Sequence, residues 1–321
     1  MQRITRRTAM LALGLIPTAR AQAPAWPNRP IRLVVPFAPG GTTDIMARLV
    51  AERLGPRLGQ TIVAENRSGA GATIGADLVA KAAPDGYTLL MSNSGSHGVS
   101  PSLYPNLPYD PMRDFTHIAL VVTSPSVLVV NANHPARTLR DFIALAREKR
   151  ELEFAVSGLG SSSHLTGVRL GLALGVPVNA IPYRGAAPAM TDTIAGVVPS
   201  MFDSLPSAAP HILAGSVRAL AVSSAERSRR FPDLPTLKES GVDVVSNAWF
   251  GLSAPAGLPD PILRRYETEI RAALQEPALI DRFEELSGAR PPESTPESYT
   301  AFIAREIAEW APIVRAAGIR P

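Results

Sequence analysis

Short apolar runs alternate along the chain with longer mixed segments, and this pattern predicts strands and helices in turn. Runs rich in β-branched residues, such as residues 31–35, are typical of buried strands. We predict strands at residues 31–35, 61–64, 87–91, 118–130, 154–156, 179–181, 198–202, 217–222 and 244–253. We predict helices at residues 44–54, 76–82, 139–149, 164–174, 189–195, 204–209, 261–275 and 297–315, with a shorter one near residue 279. Such alternation favours an α/β fold in which helices flank mostly parallel sheets.

Small residues, chiefly glycine and serine, are concentrated in four connections that follow predicted strands, at residues 39–43, 92–98, 157–163 and 183–187. In open α/β sheets, ligands bind outside the carboxyl ends of the strands, where these connections lie. Two of the connections come from the first half of the chain and two from the second. This distribution predicts a cleft between two lobes, with residues 118–130 and 244–253 as the strands that pass between them. The alternative, that glycine and serine are simply common in loops, stays open at this point.

The first of these connections carries a signal for an anion site. Gly40 and Gly41 form a turn without side chains, and Thr42 or Thr43 caps the helix that follows. The first backbone N–H groups of a helix have no acceptor within the helix, and they lie at the positive end of its dipole. A small anion is therefore expected here. An ordinary strand-to-helix turn is the alternative.

Residues 1–23 contain the three parts of an export signal: basic residues, an apolar stretch and an A-x-A site at residues 21–23. We expect cleavage near Pro24 and a periplasmic mature protein, with Sec and twin-arginine export both open. The chain has 32 basic and 28 acidic side chains, and the signal carries four arginines and no acid. The mature chain is therefore neutral, which gives no support for nucleic-acid binding. The absence of cysteine excludes disulfides and thiolate metal sites.

Enzyme motifs are weak. The sequence contains no P-loop, zinc-protease or nucleophile-elbow motif, and its five histidines include no i, i+4 pair, so neither a metal nor a cofactor is expected. His164, directly after three serines, leaves an exported Ser/His hydrolase as a less favoured alternative to a role in capping a turn or binding a ligand. Asp203 follows an apolar strand, where it either accepts hydrogen bonds from a ligand or caps the next helix.

Several longer motifs extend this picture. In the first half they are residues 26–41 (WPNRPIRLVVPFAPGG) with Asp44, residues 65–67 and 69–71, residues 84–90, and residues 108–111 with 114–115. In the second half they are residues 161–165, 182–185, 235–236 and 239–241. With these motifs the chain resembles, over nearly all of its mature length, the Bug family of TctC-like receptors, the substrate-binding proteins of tripartite tricarboxylate transporters. Ser68 and Val197 depart from the family pattern, and neither belongs to the implied ligand contacts.

The resemblance implies a fold and a role. The fold is the two-lobed periplasmic-binding-protein fold, a type II-like Venus flytrap, with residues 24–124 plus 248–321 as lobe 1 and residues 125–247 as lobe 2. The role is that of an extracytoplasmic receptor rather than an enzyme. It implies capture of a di- or tricarboxylate, an amino acid or an aromatic acid, and delivery to the membrane permease subunits of a tripartite tricarboxylate-type transporter. A monomer is expected, and presentation of the ligand to a membrane sensor is the alternative.

The resemblance also implies which residues contact the ligand, through backbone amides, hydroxyl groups and ordered water. In lobe 1 they are Phe37, Gly40, Gly41, Thr42, Asp44 and Ser94. In lobe 2 they are Ser161, Ser162, His164, Tyr183, Gly185, Ala187 and Asp203.

Overall fold

The computed structural model describes residues 26–286 and 293–319, so the predicted export signal, residues 1–23, lies outside the described residues. The strands are β1 (Ile31–Val35), β2 (Ile62–Asn66), β3 (Thr88–Asn93), β4 (Phe115–Asn131), β5 (Leu152–Val156), β6 (Val178–Pro182), β7 (Ser200–Ser204), β8 (Val217–Val222) and β9 (Asn247–Pro255). The helices are α1 (Thr42–Leu58), α2 (Thr73–Ala80), α3 (Ser100–Leu103), α4 (Leu139–Lys149), α5 (Ser162–Leu174), α6 (Ala186–Ala195), α7 (Leu205–Leu213), α8 (Asp260–Leu274), α9 (Pro277–Glu285) and α10 (Pro296–Ala316). A 3-10 turn (Ala70–Ala72) precedes α2, and a π-helical turn (Ser94–Val99) follows β3.

The long strand β4 joins two halves of the sheet. Up to Pro125 it pairs with β9, and from Ser126 onward it pairs with β7. The strand order β2-β1-β3-β9-β4-β7-β5-β6 therefore divides within β4, and β8 lies beside its second part. We call the strands on the β1 side the first half and those on the β7 side the second half. The two predicted crossing strands, residues 118–130 and 244–253, correspond to β4 and β9.

The sheet is mixed, and this qualifies the expectation of mostly parallel sheets. β1 pairs in parallel with β2 and β3, and β5 pairs in parallel with β6 and β7. Each antiparallel pairing among the described strands involves β4 or β9. The parallel pairs come from the strand–helix–strand units that the sequence pattern predicts. The antiparallel pairs arise where the chain passes from one half of the sheet to the other.

Each half of the sheet has its own hydrophobic core. In the first half, Leu33 and Met46 pack with Phe250 and with residues of α8 and α9. In the second half, Phe154 and Phe202 meet edge to face at 5.2 Å between ring centroids within a separate cluster. Each half of the sheet therefore packs its helices around a core of its own.

Two element boundaries differ from the sequence prediction in ways that affect the site. Helix α6 begins at Ala186, three residues before the predicted start, so its N-terminus belongs to the glycine-rich connection itself. Strand β7 extends through Asp203, which was expected to follow the strand. Within the described residues, no helix has both the length and the apolar character required to cross a membrane.

Candidate functional site

Four helices and one π-helical turn point their N-termini at a single enclosed cavity. Helix α1 comes from the first half of the sheet, as does the turn at Ser94–Val99, while α5, α6 and α7 come from the second half. The cavity has a free volume of about 30 Å³. It is lined by Phe37, Gly41, Thr42, Thr43, Asn93, Ser94, Ser157, Ser161, Ser162, Ala186, Asp203, Ser204, Trp249 and Phe250. Helix N-termini supply backbone donors and a positive dipole end, so this arrangement is suited to an anion.

The turn before α1 is held in shape by Asp44. Its carboxylate accepts hydrogen bonds from the Gly40 backbone N–H at 3.1 Å, from Arg48 at 3.0 Å and from the Asn66 side-chain amide at 3.0 Å. Burial opposes ionisation of Asp44, but these hydrogen bonds together hold its pKa below the ordinary value. Within the turn, Gly40 has the positive φ of 85°, whereas Gly41 has a φ of −82° and is not strained. Asp44 is thus occupied in shaping the turn and does not line the cavity.

On one side of the cavity, the two halves meet through the connection before α6. The Ala38 backbone N–H donates to the Arg184 carbonyl at 3.1 Å. A Cβ atom on Gly185 would lie 2.8 Å from the Ala38 Cβ, so only glycine permits this approach. The hydroxyl groups of Thr42 and Ser207 are 2.8 Å apart and add a second hydrogen bond between the halves.

On the other side, the halves meet through the glycine-rich connection at residues 69–75. A Cβ on Gly71 would lie 2.0 Å from the Leu159 carbonyl oxygen, and a Cβ on Gly158 would lie 3.3 Å from the Gly71 Cα. Two backbone segments therefore touch without intervening side chains. Glycine at both positions is therefore required for the two halves to meet here.

The serines of the second half form a hydrogen-bonded group at the start of α5. Ser161 caps this helix, and its hydroxyl donates to the Gly158 carbonyl at 2.6 Å. Ser163 lies 2.9 Å from the Ser161 hydroxyl and 3.1 Å from that of Ser157. Ser162, which is next to these, lines the cavity and is the serine of this turn best placed to donate to a ligand.

His164 lies outside this cavity. Its Nδ1 atom accepts a hydrogen bond from the Gly160 backbone N–H at 3.0 Å, which fixes the turn before α5. Burial lowers its pKa to about 4, so the ring is neutral at physiological pH. Among the described hydrogen bonds, its ring makes none with a serine hydroxyl. This geometry corresponds to the predicted capping role and lacks the Ser–His contact that a hydrolase requires.

Burial of His164 gives the protein a pH-dependent stability. Because the unfolded chain binds a proton at the ordinary histidine pKa of about 6.5 and the folded chain only near pH 4, the free energy of unfolding falls as pH drops through this window. His117 has a pKa lowered to about 4 by the same cause. We expect chemical denaturation midpoints to decrease between pH 6.5 and pH 4. A His164→Gln variant that shows the same decrease as the wild type would exclude His164 as a contributor.

Asp203 is the one titratable side chain in the lining described above. Burial raises its pKa to about 7, and hydrogen bonds from Ser207 and from the Ser204 backbone N–H, each at 2.7 Å, oppose this rise only in part. No cationic side chain belongs to the described lining, so neither Asp203 nor a bound anion has a cation to balance its charge. The donors that this lining offers are therefore helix dipoles and hydroxyl groups rather than arginine side chains.

Seven of the thirteen residues predicted as ligand contacts line the cavity, namely Phe37, Gly41, Thr42, Ser94, Ser161, Ser162 and Asp203. The other six support it from behind. The roles of Asp44, His164 and Gly185 are described above. Gly40 faces Ala187 across the contact between the halves. Tyr183 donates its hydroxyl to Asp192 at 2.7 Å, and burial together with this carboxylate raises the pKa of Tyr183 to about 12.

Sequence reasoning missed two aromatic residues of the lining, Trp249 and Phe250. Both lie on β9, which was predicted only as a strand crossing between the lobes. The sequence did carry a signal for them. A strand that crosses between the lobes must pass the cleft, so adjacent aromatic residues on it are candidates for the cavity lining.

Comparison with known proteins identifies the family. Residues 46–319 match the tripartite tricarboxylate transporter family receptor. The chain belongs to this family. It is 40% identical over 324 residues to Protein BugT of Bordetella pertussis, covering 99% of both chains. This places it among the TctC/Bug periplasmic solute-binding proteins and confirms the prediction that it is not an enzyme.

Solved structures of TctC/Bug proteins have the same fold. A protein from R. palustris with adipate superposes with a TM-score of 0.88 at 36% identity, covering 92% of this chain and 99% of that one. MatC from Rhodopseudomonas palustris with bound malate superposes with a TM-score of 0.86 at 35% identity, covering 90% of this chain and 100% of that one. The predicted two-lobed periplasmic-binding-protein fold is confirmed.

Proposed function

We propose that this TctC/Bug receptor binds a small carboxylate in the cavity between its two lobes and delivers it to a tripartite tricarboxylate-type membrane transporter. The observation that carries the proposal is the convergence of α1, α5, α6 and α7 on one cavity whose described lining has no cation. Charge-assisted hydrogen bonds from backbone and hydroxyl donors contribute roughly 1.5–3 kcal/mol each. Several such bonds give useful affinity and still allow release to a membrane partner.

The cavity and the relatives support an aliphatic dicarboxylate as the ligand. Two family members are described with malate and with adipate. The cavity volume of about 30 Å³ in this closed arrangement is smaller than a dicarboxylate, so the lobes must separate to admit the ligand. Thr42 and Ser94 on one lobe and Ser162 on the other supply hydroxyl donors from both sides.

The lobes are proposed to comprise residues 24–124 plus 248–321 and residues 125–247. The pairing of β4 supports this division, because its partner changes from β9 to β7 between Pro125 and Ser126. β4 and β9 are proposed as the hinges. A ligand that contacts both lobes binds the closed form better than the open one and shifts the population toward closure.

The protein is proposed to act in the periplasm after removal of residues 1–23. Intact-mass measurement of a periplasmic extract is expected to give a chain that begins near Pro24. Mass spectrometry of natively purified protein then identifies any retained ligand. Uptake of that ligand, labelled, in cells with and without the gene tests delivery to a transporter, and equal uptake would contradict it.

Thr42→Ala and Ser162→Ala are each expected to weaken ligand binding by about 1 kcal/mol or somewhat more, because each removes one hydroxyl donor from the cavity. Isothermal titration calorimetry with the identified ligand measures this change. Ser240→Ala, at an exposed serine of the second lobe outside the lining, serves as the control. Unchanged affinity in both cavity variants would show that the ligand binds elsewhere.

A further inference from the structure

Trp249 lines the cavity, and its indole is held by helix α10. Trp249 is only 2% exposed, and its ring meets those of Tyr299 and Phe302 edge to face at centroid distances of 6.0 and 5.3 Å. Its indole N–H donates to the Glu306 carboxylate at 2.8 Å. The three α10 residues are spaced by three and four positions, so they lie on the same face of that helix.

Glu306 binds a second indole with the same oxygen. The Trp310 N–H donates to Oε2 at 3.1 Å, and the Trp249 N–H donates to this atom too. Burial raises the pKa of the Glu306 carboxyl, and the two indole donors oppose the rise. A Cβ on Gly98 would lie 3.6 Å from the Glu306 Cβ and 3.8 Å from the Trp249 ring, so the π-helical turn covers this contact closely.

Trp310, the second indole bound by Glu306, contacts helix α5 of the other lobe. The Arg169 guanidinium on α5 lies 4.3 Å from the centroid of the Trp310 ring, and Leu165 of the same helix packs in the same apolar cluster. Arg169 also donates to the Val245 carbonyl at 2.9 Å. Helix α5 is the element whose N-terminus brings Ser161 and Ser162 to the cavity. One carboxylate oxygen therefore links a cavity wall in one lobe to a donor helix in the other.

We propose that Glu306 is a positioning residue for the ligand cavity, which fixes the Trp249 indole as a wall and ties it through Trp310 to helix α5. The proposal rests on the proposed function, since it assigns Trp249 a contact with the ligand. Glu306 does not line the cavity, but through Trp249 it determines how tightly a ligand binds and how long a ligand the cavity accepts.

Three substitutions distinguish the effect of the hydrogen bonds that Glu306 accepts from the effect of its negative charge. Glu306→Leu removes the acceptor, and we expect about tenfold weaker binding of malate or adipate, whichever binds the wild type. Glu306→Gln keeps an acceptor oxygen without the charge, and we expect affinity within about twofold of the wild type. Glu297→Gln removes an exposed charge from the first turn of the same helix, and its expected effect is also within about twofold. Calorimetry measures all three.

The indole N–H signals in nuclear magnetic resonance spectra report the position of Trp249 directly. The chain has three tryptophans, and the indole nitrogen of Trp26 makes no hydrogen bond in the described structure, so its signal is an internal reference. In Glu306→Leu we expect the Trp249 and Trp310 signals to move and the Trp26 signal to stay. In Glu306→Gln we expect all three near their wild-type positions.

The proposal is overturned if Glu306→Leu folds with unmoved indole signals, or if Glu306→Gln loses as much affinity as Glu306→Leu. Should Glu306→Leu not fold, Trp249→Phe keeps a ring and removes the N–H. It is then expected to weaken binding, and wild-type affinity would overturn the proposal. If the wild type binds neither malate nor adipate, the proposed ligand class is wrong, while the indole spectra still decide whether Glu306 fixes Trp249.

Discussion

Gly185→Val is expected to prevent the lobes from closing and to weaken ligand binding by about 100-fold, which corresponds to roughly 2.7 kcal/mol. The added Cβ would lie 2.8 Å from the Ala38 Cβ and 3.0 Å from the Ala38 nitrogen, in the other lobe. Gly185 has φ 165°, an extended conformation that valine adopts without strain, so the lobe itself is expected to fold. Calorimetry measures the affinity, and small-angle scattering measures the radius of gyration with and without ligand.

The wild type is expected to contract on binding, and Gly185→Val is expected to keep the larger radius. Gly185→Ala adds only the Cβ and is expected to show an intermediate affinity. Thr191→Val, at an exposed position on the same helix α6, tests whether any valine there disturbs the lobe. Wild-type affinity and contraction in Gly185→Val would contradict the view that closure at this contact is required.

Ligand binding is expected to take up about one proton at pH above 7, with affinity falling by up to about tenfold per pH unit there. The cause is Asp203, whose pKa burial raises to about 7 and which belongs to a lining without cations. A bound carboxylate disfavours a second negative charge beside it, so the neutral form of Asp203 accompanies the ligand. Below pH 7 the acid is already protonated, and the dependence is expected to disappear.

Calorimetry in two buffers of different ionisation enthalpy counts the protons taken up. Asp203→Asn is expected to bind the ligand without proton uptake and with an affinity that does not vary above pH 7. Asp192→Asn, which changes an aspartate of the same lobe bonded to Tyr183 outside the lining, is the matched control. Equal proton uptake by the wild type and by Asp203→Asn would show that another group titrates.

Local sequence signals predicted much of this arrangement. The glycine and serine connections follow strands, and all four contribute residues to the lining, because the carboxyl ends of parallel strands meet at one edge. The antiparallel pairing of β9 between β3 and β4 was not predictable in the same way. It depends on which distant strand fills a gap in the sheet, and no local pattern encodes that choice.

The sequence motifs of the site contain both residues that line the cavity and residues that support it. A motif identifies residues that matter to the site, but it does not separate those that face the cavity from those that brace it. Asp44 and His164 lie in the right turns, yet each accepts a hydrogen bond from a backbone N–H of its own turn, from Gly40 and Gly160 respectively. Trp249 belongs to no motif, and it reaches the cavity because β9 lies between β3 and β4 in the sheet. Its orientation depends on α10, which follows it by some fifty residues in the chain.

The place of β9 between β3 and β4 also affects how the protein is made. Ser92 at the end of β3 hydrogen-bonds Ser253, 161 positions later, and Tyr299, 207 positions later. Until those residues have been synthesised, one edge of β3 has no partner, and closing so long a loop is entropically costly. The first half of the sheet therefore cannot be completed early during translation. A nascent chain that stays unfolded this long is open to threading through a membrane pore before it folds.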